Sequence, residues 1–482
     1  MTDHKHVSLV QDNDSSVPLC VDLDGTLVRT DLLAESLVAL LRKNPLYIML
    51  LPFWLLNGKA ALKHEIAKRI TLDPQILPYR GKFVEFLRKE AKRRHVHLVT
   101  AADRLLAAEV ARHLGIFTEI FASDGQLNLA GKAKLHLLRE KFGTKGFSYA
   151  GNAWVDMPVW QESVYPIVVG APSDLVRYVN HAMPDARIWT DSKYGWREVL
   201  HLLRVHQWAK NMIVFVPLVT SHQLLNKSTV IDAFKAIMAF CFTASAIYIV
   251  NDLIDLESDR RHETKRHRPF ASGVLGLSAA LSILPILAMA AMALSWELPR
   301  NFSLVLTVYL VLTLAYSLVL KRLLIADTIC LALLYTMRVI GGHEATGIVY
   351  SPWLLAFAMF LFFSLALVKR CAELQRASGV VAGRGYAGSD ALQASVLGAS
   401  SGLVAVLVLA LYVTSSTVQQ LYSRPLVLLL ICPLLLYWIS RIWMLTARGQ
   451  MSEDPVLFAL KDGASYLTGV LVVAVMLLGI LL

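Results

Sequence analysis

The sequence predicts two folds in one chain. The first is an α/β domain with a parallel, Rossmann-like sheet and a small helical cap over residues 1–190. The second is an all-α polytopic membrane domain of about nine transmembrane helices over residues 191–482. Three observations predict this. Of 482 residues, 56% are hydrophobic and the mean hydropathy is +0.52, too apolar for an ordinary soluble enzyme of this length. The excess is uneven: up to about Arg187 charged and apolar positions mix, whereas from Asn211 onward long apolar runs dominate. In the first part, a short apolar strand, Leu19 to Val21, ends in Asp22-Leu23-Asp24-Gly25-Thr26, and open α/β sheets hold their ligands beyond the C-terminal ends of strands.

The net charge is +11, from 47 Lys and Arg against 36 Asp and Glu. Many basic residues fall between the apolar runs, where membrane orientation and anionic lipids or substrates account for them, so no nucleic-acid partner is expected. Cys20, Cys241, Cys330, Cys371 and Cys432 show no paired spacing and three lie inside apolar runs; neither a disulfide nor a zinc site is expected. The N-terminal segment through Pro18 lacks the apolar core of a signal peptide, which predicts a cytoplasmic first domain.

Two carboxylates two residues apart can divide labour: Asp22 attacks phosphorus, Asp24 handles the leaving-group proton, and both are candidate Mg²⁺ ligands. An acidic turn would also read DxDG, so the downstream order matters. The strand-like His95 to Val99 ends in Thr100, whose hydroxyl suits a phosphate oxygen. Lys134, with Lys132 as the alternative, can neutralise the phosphoryl group and the nucleophile. Phe147 to Ala150 leads into Gly151-Asn152-Ala153-Trp154-Val155-Asp156, where the Asn152 oxygen and the Asp156 carboxylate could complete a Mg²⁺ shell.

This four-part series, over residues 17 to 175, resembles the haloacid-dehalogenase phosphatases. The resemblance implies a Rossmannoid fold and Mg²⁺-dependent phosphate chemistry. That family has Asp at the first position of the last motif, where this chain has Asn152, an oxygen ligand without charge. Residues 31 to 77 read as the helices of a small cap. Within them, Pro45 to Leu56 is apolar but too short to span a bilayer. It reads either as a surface touching lipid or the membrane domain, or as a buried cap core.

In the second domain, apolar stretches begin near positions 211, 233, 276, 300, 323, 352, 395, 425 and 464, the first being short. With the N-terminus inside, the cytoplasmic loops carry Arg260, Arg261, Lys265, Arg266 and Arg268, then Lys321 and Arg322, then Arg370 and Arg376, and finally Arg448, as the positive-inside rule requires. An integral location of the bacterial inner-membrane kind follows.

The first of these loops carries chemistry. Asp252, Asp255 and Asp259 stand at i, i+3 and i+7, one helix face, with Asn251 adjoining. Clustered carboxylates repel unless cations lie between them, and Mg²⁺ suits a few carboxylates plus phosphate oxygens. A diphosphate held there becomes a leaving group, with Lys265 and Arg268 taking up remaining charge. Asn251-Asp252-x-x-Asp255-x-x-x-Asp259 resembles the first aspartate-rich motif of the UbiA superfamily, which implies a nine-helix intramembrane transferase. Those enzymes carry a second aspartate-rich motif after the sixth helix; here that loop reads Lys369-Arg370-Cys371-Ala372-Glu373-Leu374 and later Gly383-Arg384-Gly385-Tyr386, with Asp390 nearby.

Leu203 to Asn211, Tyr335 to Gly342, the KRCAEL run and Asp259 to Gly273 resemble polyprenyl-phosphate phosphoribosyltransferases of the decaprenyl-phosphate type. The resemblance implies transfer from phosphoribosyl pyrophosphate (PRPP) to a polyprenyl phosphate lipid; the product of that transfer still bears a ribose 5-phosphate, which a phosphatase fused on the cytoplasmic side is expected to remove. Arg204, Lys210, Arg338, Lys369 and Arg370 lie in or beside apolar segments, where charge is costly and marks substrate binding; Lys369 and Arg370 also read as snorkelling interface residues. The alternative is a UbiA-type prenyltransferase with a non-catalytic first domain. The sequence is compatible with a homo-oligomer. Every expected transfer residue lies beyond position 190, which predicts that transfer does not need the first domain.

Overall fold

The computed structural model describes residues 17–190, 195–376, 385–451 and 454–481. The segment before Val17, residues 383 and 384 of the GRGY run, and the far side of the expected 190/191 boundary lie outside the described residues. The chain divides into two compact units: Met1–Leu202 with Val250–Ser282, and Leu203–Ile249 with Ile283–Leu482. The aspartate-rich loop therefore belongs to the first unit.

The first unit is built on a six-stranded sheet of β1 (Leu19–Val21), β2 (Val96–Asp103), β3 (Glu119–Ser123), β4 (Ser148–Gly151), β5 (Pro166–Val169) and β6 (Arg187–Trp189), in the order β3-β2-β1-β4-β5-β6. Every pairing is parallel, which explains why β1 is buried on both faces and apolar throughout. Side chains alternate along a strand, and β1 shows it. Leu19 and Val21 join Leu98, Phe83 and Leu87 in one buried cluster, whereas Cys20 joins Val99, Tyr149, Trp160 and Val168 in another.

Helices Leu32–Lys43, Leu51–Leu56 and Lys59–Ala67 follow β1 where the cap is expected. The first starts at Asp31, whose carboxylate accepts from the Leu33 and Ala34 amides at 2.7 and 3.3 Å. The run from Pro45 to Leu56 folds as a 3-10 turn and a short helix with no buried residue. Leu46, Met49, Phe53 and Leu56 are 64–84% exposed, so the run is not a buried cap core.

Among the described residues, seven helices are long and apolar enough to cross a membrane: Lys227–Ile254, Ser278–Trp296, Arg300–Leu318, Pro352–Arg376, Gly388–Val413, Pro425–Ala447 and Gly463–Leu481. Two of the expected nine differ. The stretch near 211 is broken into a 3-10 segment, Val205–Phe215, and a short helix, Val216–Thr220, with Pro217 at its start. Ala326–Thr346 has the length but carries Asp327, Arg338 and Glu344. Its charges are tolerated because Asp327 and Arg338 are buried within the unit, met by protein groups.

Arg370 is one of those groups. It is fully buried and pairs with Asp327 and Glu373, its guanidinium 5.4 Å from the Tyr386 ring. Tyr386 in turn donates to Asp327 at 2.7 Å and accepts from the Ile325 amide at 3.0 Å. This network ties the helix of Asp327 to that of Arg370. The substrate-binding and snorkelling expectations for Arg370 are both corrected: its charge is spent inside the fold.

Removing one member of such a pair strands the other. Asp327→Ala is expected to cost about 3–5 kcal/mol, read as a lowered melting temperature of the purified chain in detergent. Asp327→Leu combined with Arg370→Met is expected to recover most of the loss, because no buried charge then remains unmet.

Candidate functional site

In a sheet of this order the strand sequence reverses between β1 and β4, and the crevice beyond their C-terminal ends is where ligands bind. Asp22 follows β1 there, and Asn152 follows β4. The Lys134 ammonium lies 2.9 Å from Asp22 Oδ1, donates to the Tyr149 hydroxyl at 2.6 Å and stands 3.6 Å from Asp156 Oδ1. Lys132, one turn-position earlier on the helix Lys132–Phe142, is exposed, so Lys134 is the lysine of the site.

Asp156 is heavily engaged. One oxygen accepts from Tyr149 at 2.9 Å, and the other from the Asn152 and Ala153 amides at 3.1 Å each. These bonds fit a residue that holds Lys134 and the turn in place better than the expected direct metal ligand. Thr100 is fully buried, and its hydroxyl accepts from the Ala102 amide at 3.0 Å. Register pairs Val21 with Leu98, which sets Thr100 just past Asp22 on the neighbouring strand; that strand continues to Asp103 instead of ending at Thr100.

Gly25 brings the two loops together. Its φ is +70°, and a Cβ there would stand 2.1 Å from Asn152 Nδ2, so only glycine permits the approach. Asp24 accepts from the Leu32 amide at 2.8 Å and lines a small cavity with Ser36, Lys63, Ala102 and Asp103. Burial, with Asp31 and Asp22 alongside, pushes its carboxyl up to about 8. Burial likewise pushes Asp22 up to about 6, against the pull of Lys134. Burial works against the Lys134 charge too, but Asp22 and Asp156 outweigh it and hold Lys134 above the ordinary lysine range. Lys63, which donates to Ala101 O at 2.6 Å and Asn128 at 3.0 Å, had no signal in the sequence. Only folding brings the cap to the DxDG loop.

At the aspartate-rich loop, the helix Lys227–Ile254 ends and Asp255 leads into the short helix Leu256–Arg261. Asp255 N donates to Asn251 O and Asp259 N to Asp255 O, each at 2.8 Å, so helical spacing persists through the break. Asp252 and Asp259 are buried and converge on Arg268, whose Nη1 lies 3.1 and 2.6 Å from them. Asn251 and Asp255 are half-buried, and Lys265 is exposed. Hard oxygen donors of this kind suit Mg²⁺ when phosphate oxygens complete the shell. Among the described residues no three His, Cys, Asp or Glu side chains converge as ligands, and Arg268 stands between the two carboxylates.

In the second unit, Arg338 is buried and fully directed. It donates to Asn211 at 2.7 Å, to the Tyr309 hydroxyl at 2.9 Å and to Leu334 O at 2.6 Å, and faces the Tyr309 and Tyr335 rings. Lys210 pairs with Asp454. Arg204, in the left-handed region at φ 51°, has its guanidinium 4.7 Å from the Tyr248 ring. Lys210 feels the charges of Arg338 and Arg204, and Asp454 those of Lys210 and Lys369. Asn211, Tyr309 and Asp454 were not singled out in the sequence. Asp454-Pro455 carries a helix-start signal, Asp before Pro, and the Asp454 side chain does accept from the Val456 and Leu457 amides.

The UbiA prenyltransferase family profile matches residues 214–481. An uncharacterized protein, y4nM, of Sinorhizobium fredii is 35% identical over 468 residues, 95% of this chain and 90% of that protein. The nodulation protein NoeC of Azorhizobium caulinodans is 36% identical over 270 residues, 54% of this chain and 86% of that protein. A decaprenyl-phosphate phosphoribosyltransferase of Mycolicibacterium smegmatis is 37% identical over 183 residues, 37% of this chain and 58% of that protein.

Gly25→Ala is expected to displace Asn152 and to force a left-handed alanine, at a cost of about 1–3 kcal/mol. A melting temperature equal to that of the unaltered chain would show that the two loops do not depend on this close approach.

Proposed function

We propose, for a chain that belongs to the UbiA prenyltransferase family, that the group it transfers is phosphoribosyl, from PRPP to a polyprenyl phosphate. Family membership and seven apolar helices make the protein an integral-membrane enzyme of prenyltransferase type. The observation that carries the finer reading is the buried Arg338, oriented by Asn211, Tyr309 and Leu334 O, with the buried Lys210 feeling its charge. A diphosphate donor with a neutral aromatic acceptor calls for one anion site. A phosphorylated donor and a phosphorylated acceptor together call for more positive charge, which buried Arg338 and Lys210 and half-buried Arg204 and Lys369 are suited to supply. The likeness to decaprenyl-phosphate phosphoribosyltransferases and the lack of a second aspartate-rich motif in the sequence point the same way.

In this reading an oxygen of the lipid phosphate attacks the anomeric carbon of the ribose. The bond from that carbon to the diphosphate oxygen breaks, and diphosphate leaves with the electron pair. Asn251, Asp252, Asp255 and Asp259 would hold Mg²⁺, which when bound neutralises the departing diphosphate. Arg268, between Asp252 and Asp259, and Lys265, exposed on the same loop, supply further positive charge to it. Arg338 holds its planar fork ready for phosphate because Asn211, Tyr309 and Leu334 O orient it without neutralising it.

The transferred ribose still bears a 5-phosphate. We assign its removal to the first unit, read as a haloacid-dehalogenase-type phosphatase on the cytoplasmic side. Asp22 attacks phosphorus, and the ribose 5-oxygen leaves with a proton from Asp24, whose pKa, pushed up to about 8 by burial, favours the protonated acid. Water then releases inorganic phosphate from Asp22. Lys134 and Thr100 hold the phosphoryl oxygens, Asn152 and Asp22 would hold Mg²⁺, and Asp156 positions Lys134. Lys63 offers the cap's cation to the same pocket. The exposed apolar face of residues 45–56 is suited to lie in the headgroup layer, where a lipid-linked product is presented.

Two outcomes test this. Purified chain given labelled PRPP, Mg²⁺ and polyprenyl phosphate is expected to move label into lipid, and Asp252→Ala or Asp259→Ala to lower that rate about 100-fold or more. Product from a prenyl diphosphate and an aromatic acceptor, with none from PRPP, would restore the ordinary prenyltransferase reading. For the first unit, Asp22→Asn is expected to accumulate 5-phosphorylated lipid by mass analysis, while the unaltered chain yields dephosphorylated product. Identical products from the two would reduce the first unit to a scaffold.

A further inference from the structure

Glu35 takes no part in either proposed reaction, yet it is among the most deeply buried carboxylates of the first unit. It lies on the helix Leu32–Lys43, and its two oxygens receive the two terminal nitrogens of Arg260 at 2.5 and 3.1 Å. The side chains are 3% and 5% exposed. The remaining Arg260 nitrogen donates to Ala271 O at 3.1 Å. Arg260 is therefore a staple. It joins the helix Leu256–Arg261 to the turn after Arg268, and both to Glu35.

What the staple closes is the loop that holds Asp252, Arg268 and Asp259. Asp259 immediately precedes Arg260, and Arg268 lies three residues before Ala271. Movement of Arg260 would separate the two ends that bring Asp259 within 2.6 Å of Arg268. Other contacts agree. Gly273, at φ +68°, packs where a Cβ would stand 2.8 Å from the Arg29 side chain and 3.0 Å from Pro78. Arg42 meets Glu257 at 2.5 Å and Arg261 meets Asp73 at 2.9 Å. These last two are partly exposed and weak; the Glu35–Arg260 pair, bidentate and dry, sets the geometry.

We propose that Glu35 is a positioning residue for transfer: through Arg260 it holds the Asp252–Arg268–Asp259 cluster in its working arrangement. The proposal rests on the transfer reading of that cluster. It changes the expectation from sequence that transfer is independent of the first 190 residues. The loop and residues 29–78 form one packed unit, so the transfer site borrows its support from the segment that carries the cap.

The test uses the full chain with PRPP, Mg²⁺ and polyprenyl phosphate, comparing the unaltered protein with Asp252→Ala, Glu35→Gln, Arg260→Gln, the Glu35→Gln/Arg260→Gln double variant and Glu65→Gln. Glu65 pairs with Arg69 in the cap and controls for loss of an acidic side chain there. Each single staple variant is expected to lower kcat about 10- to 100-fold with KM for PRPP changed little, since misplacement of reacting groups acts on turnover. The double variant is expected to be no worse than either single one, and Glu65→Gln to be unchanged. Rates are taken per folded molecule, from the monodisperse fraction, so a merely structural role would lower yield and leave kcat alone. If Glu35→Gln does not fold, Glu35→Asp, shorter by one methylene, replaces it with the same expectation. Unaltered kcat in the single variants, or losses that multiply in the double, would overturn the proposal while leaving the transfer reading standing. No transfer by the unaltered chain, or full transfer by Asp252→Ala, would overturn both.

Discussion

A charge taken out of water costs several kcal/mol unless another group meets it, and this chain buries many charges. How each one is met separates the residues that hold the molecule together from those positioned to act. Arg370 is met by Asp327, Glu373 and an aromatic ring, and Arg260 by Glu35 and a backbone carbonyl. In both, positive charge is balanced by carboxylate, and the product is rigidity. Arg338 is met by an amide, a hydroxyl and a carbonyl. These orient the guanidinium without cancelling it, and a buried cation in that condition attracts an anion.

In the first unit carboxylates again meet a buried cation. Lys134 sits among Asp22, Asp156 and Tyr149, so its ammonium is fixed between two carboxylates and a phenol. Asp24 is half-buried close to Asp31 and Asp22, and desolvation with their repulsion pushes its carboxyl up. Burial thus raises both carboxyls, Asp24 to about 8 and Asp22 to about 6.

The two units are not two halves of the sequence. The chain leaves the first unit at Leu202 and returns to it from Val250 to Ser282. Covalent order puts the aspartate-rich loop within the membrane domain, whereas packing puts it with the cap helix. The match to the Sinorhizobium relative spans 95% of this chain, so similarity extends across both units.

The sequence by itself determined what is local or compositional. The apolar runs, the burial of Leu19 to Val21, the order of Asp22, Thr100, Lys134 and Asn152, and the i, i+3, i+7 spacing of the aspartates all follow from residue type and backbone period. Contacts between distant positions were decided only by the tertiary structure. Hydropathy counted Ala326–Thr346 as an ordinary span, but only neighbouring helices could supply Arg370 and Tyr386 to Asp327. Arg260 read as one basic residue in a basic loop, and Arg370 as a substrate or interface cation. Glu35 stands 225 positions from Arg260, and Asp327 43 from Arg370. No spacing rule reaches across such separations, because a charge records nothing in sequence about which opposite charge will meet it when water is excluded.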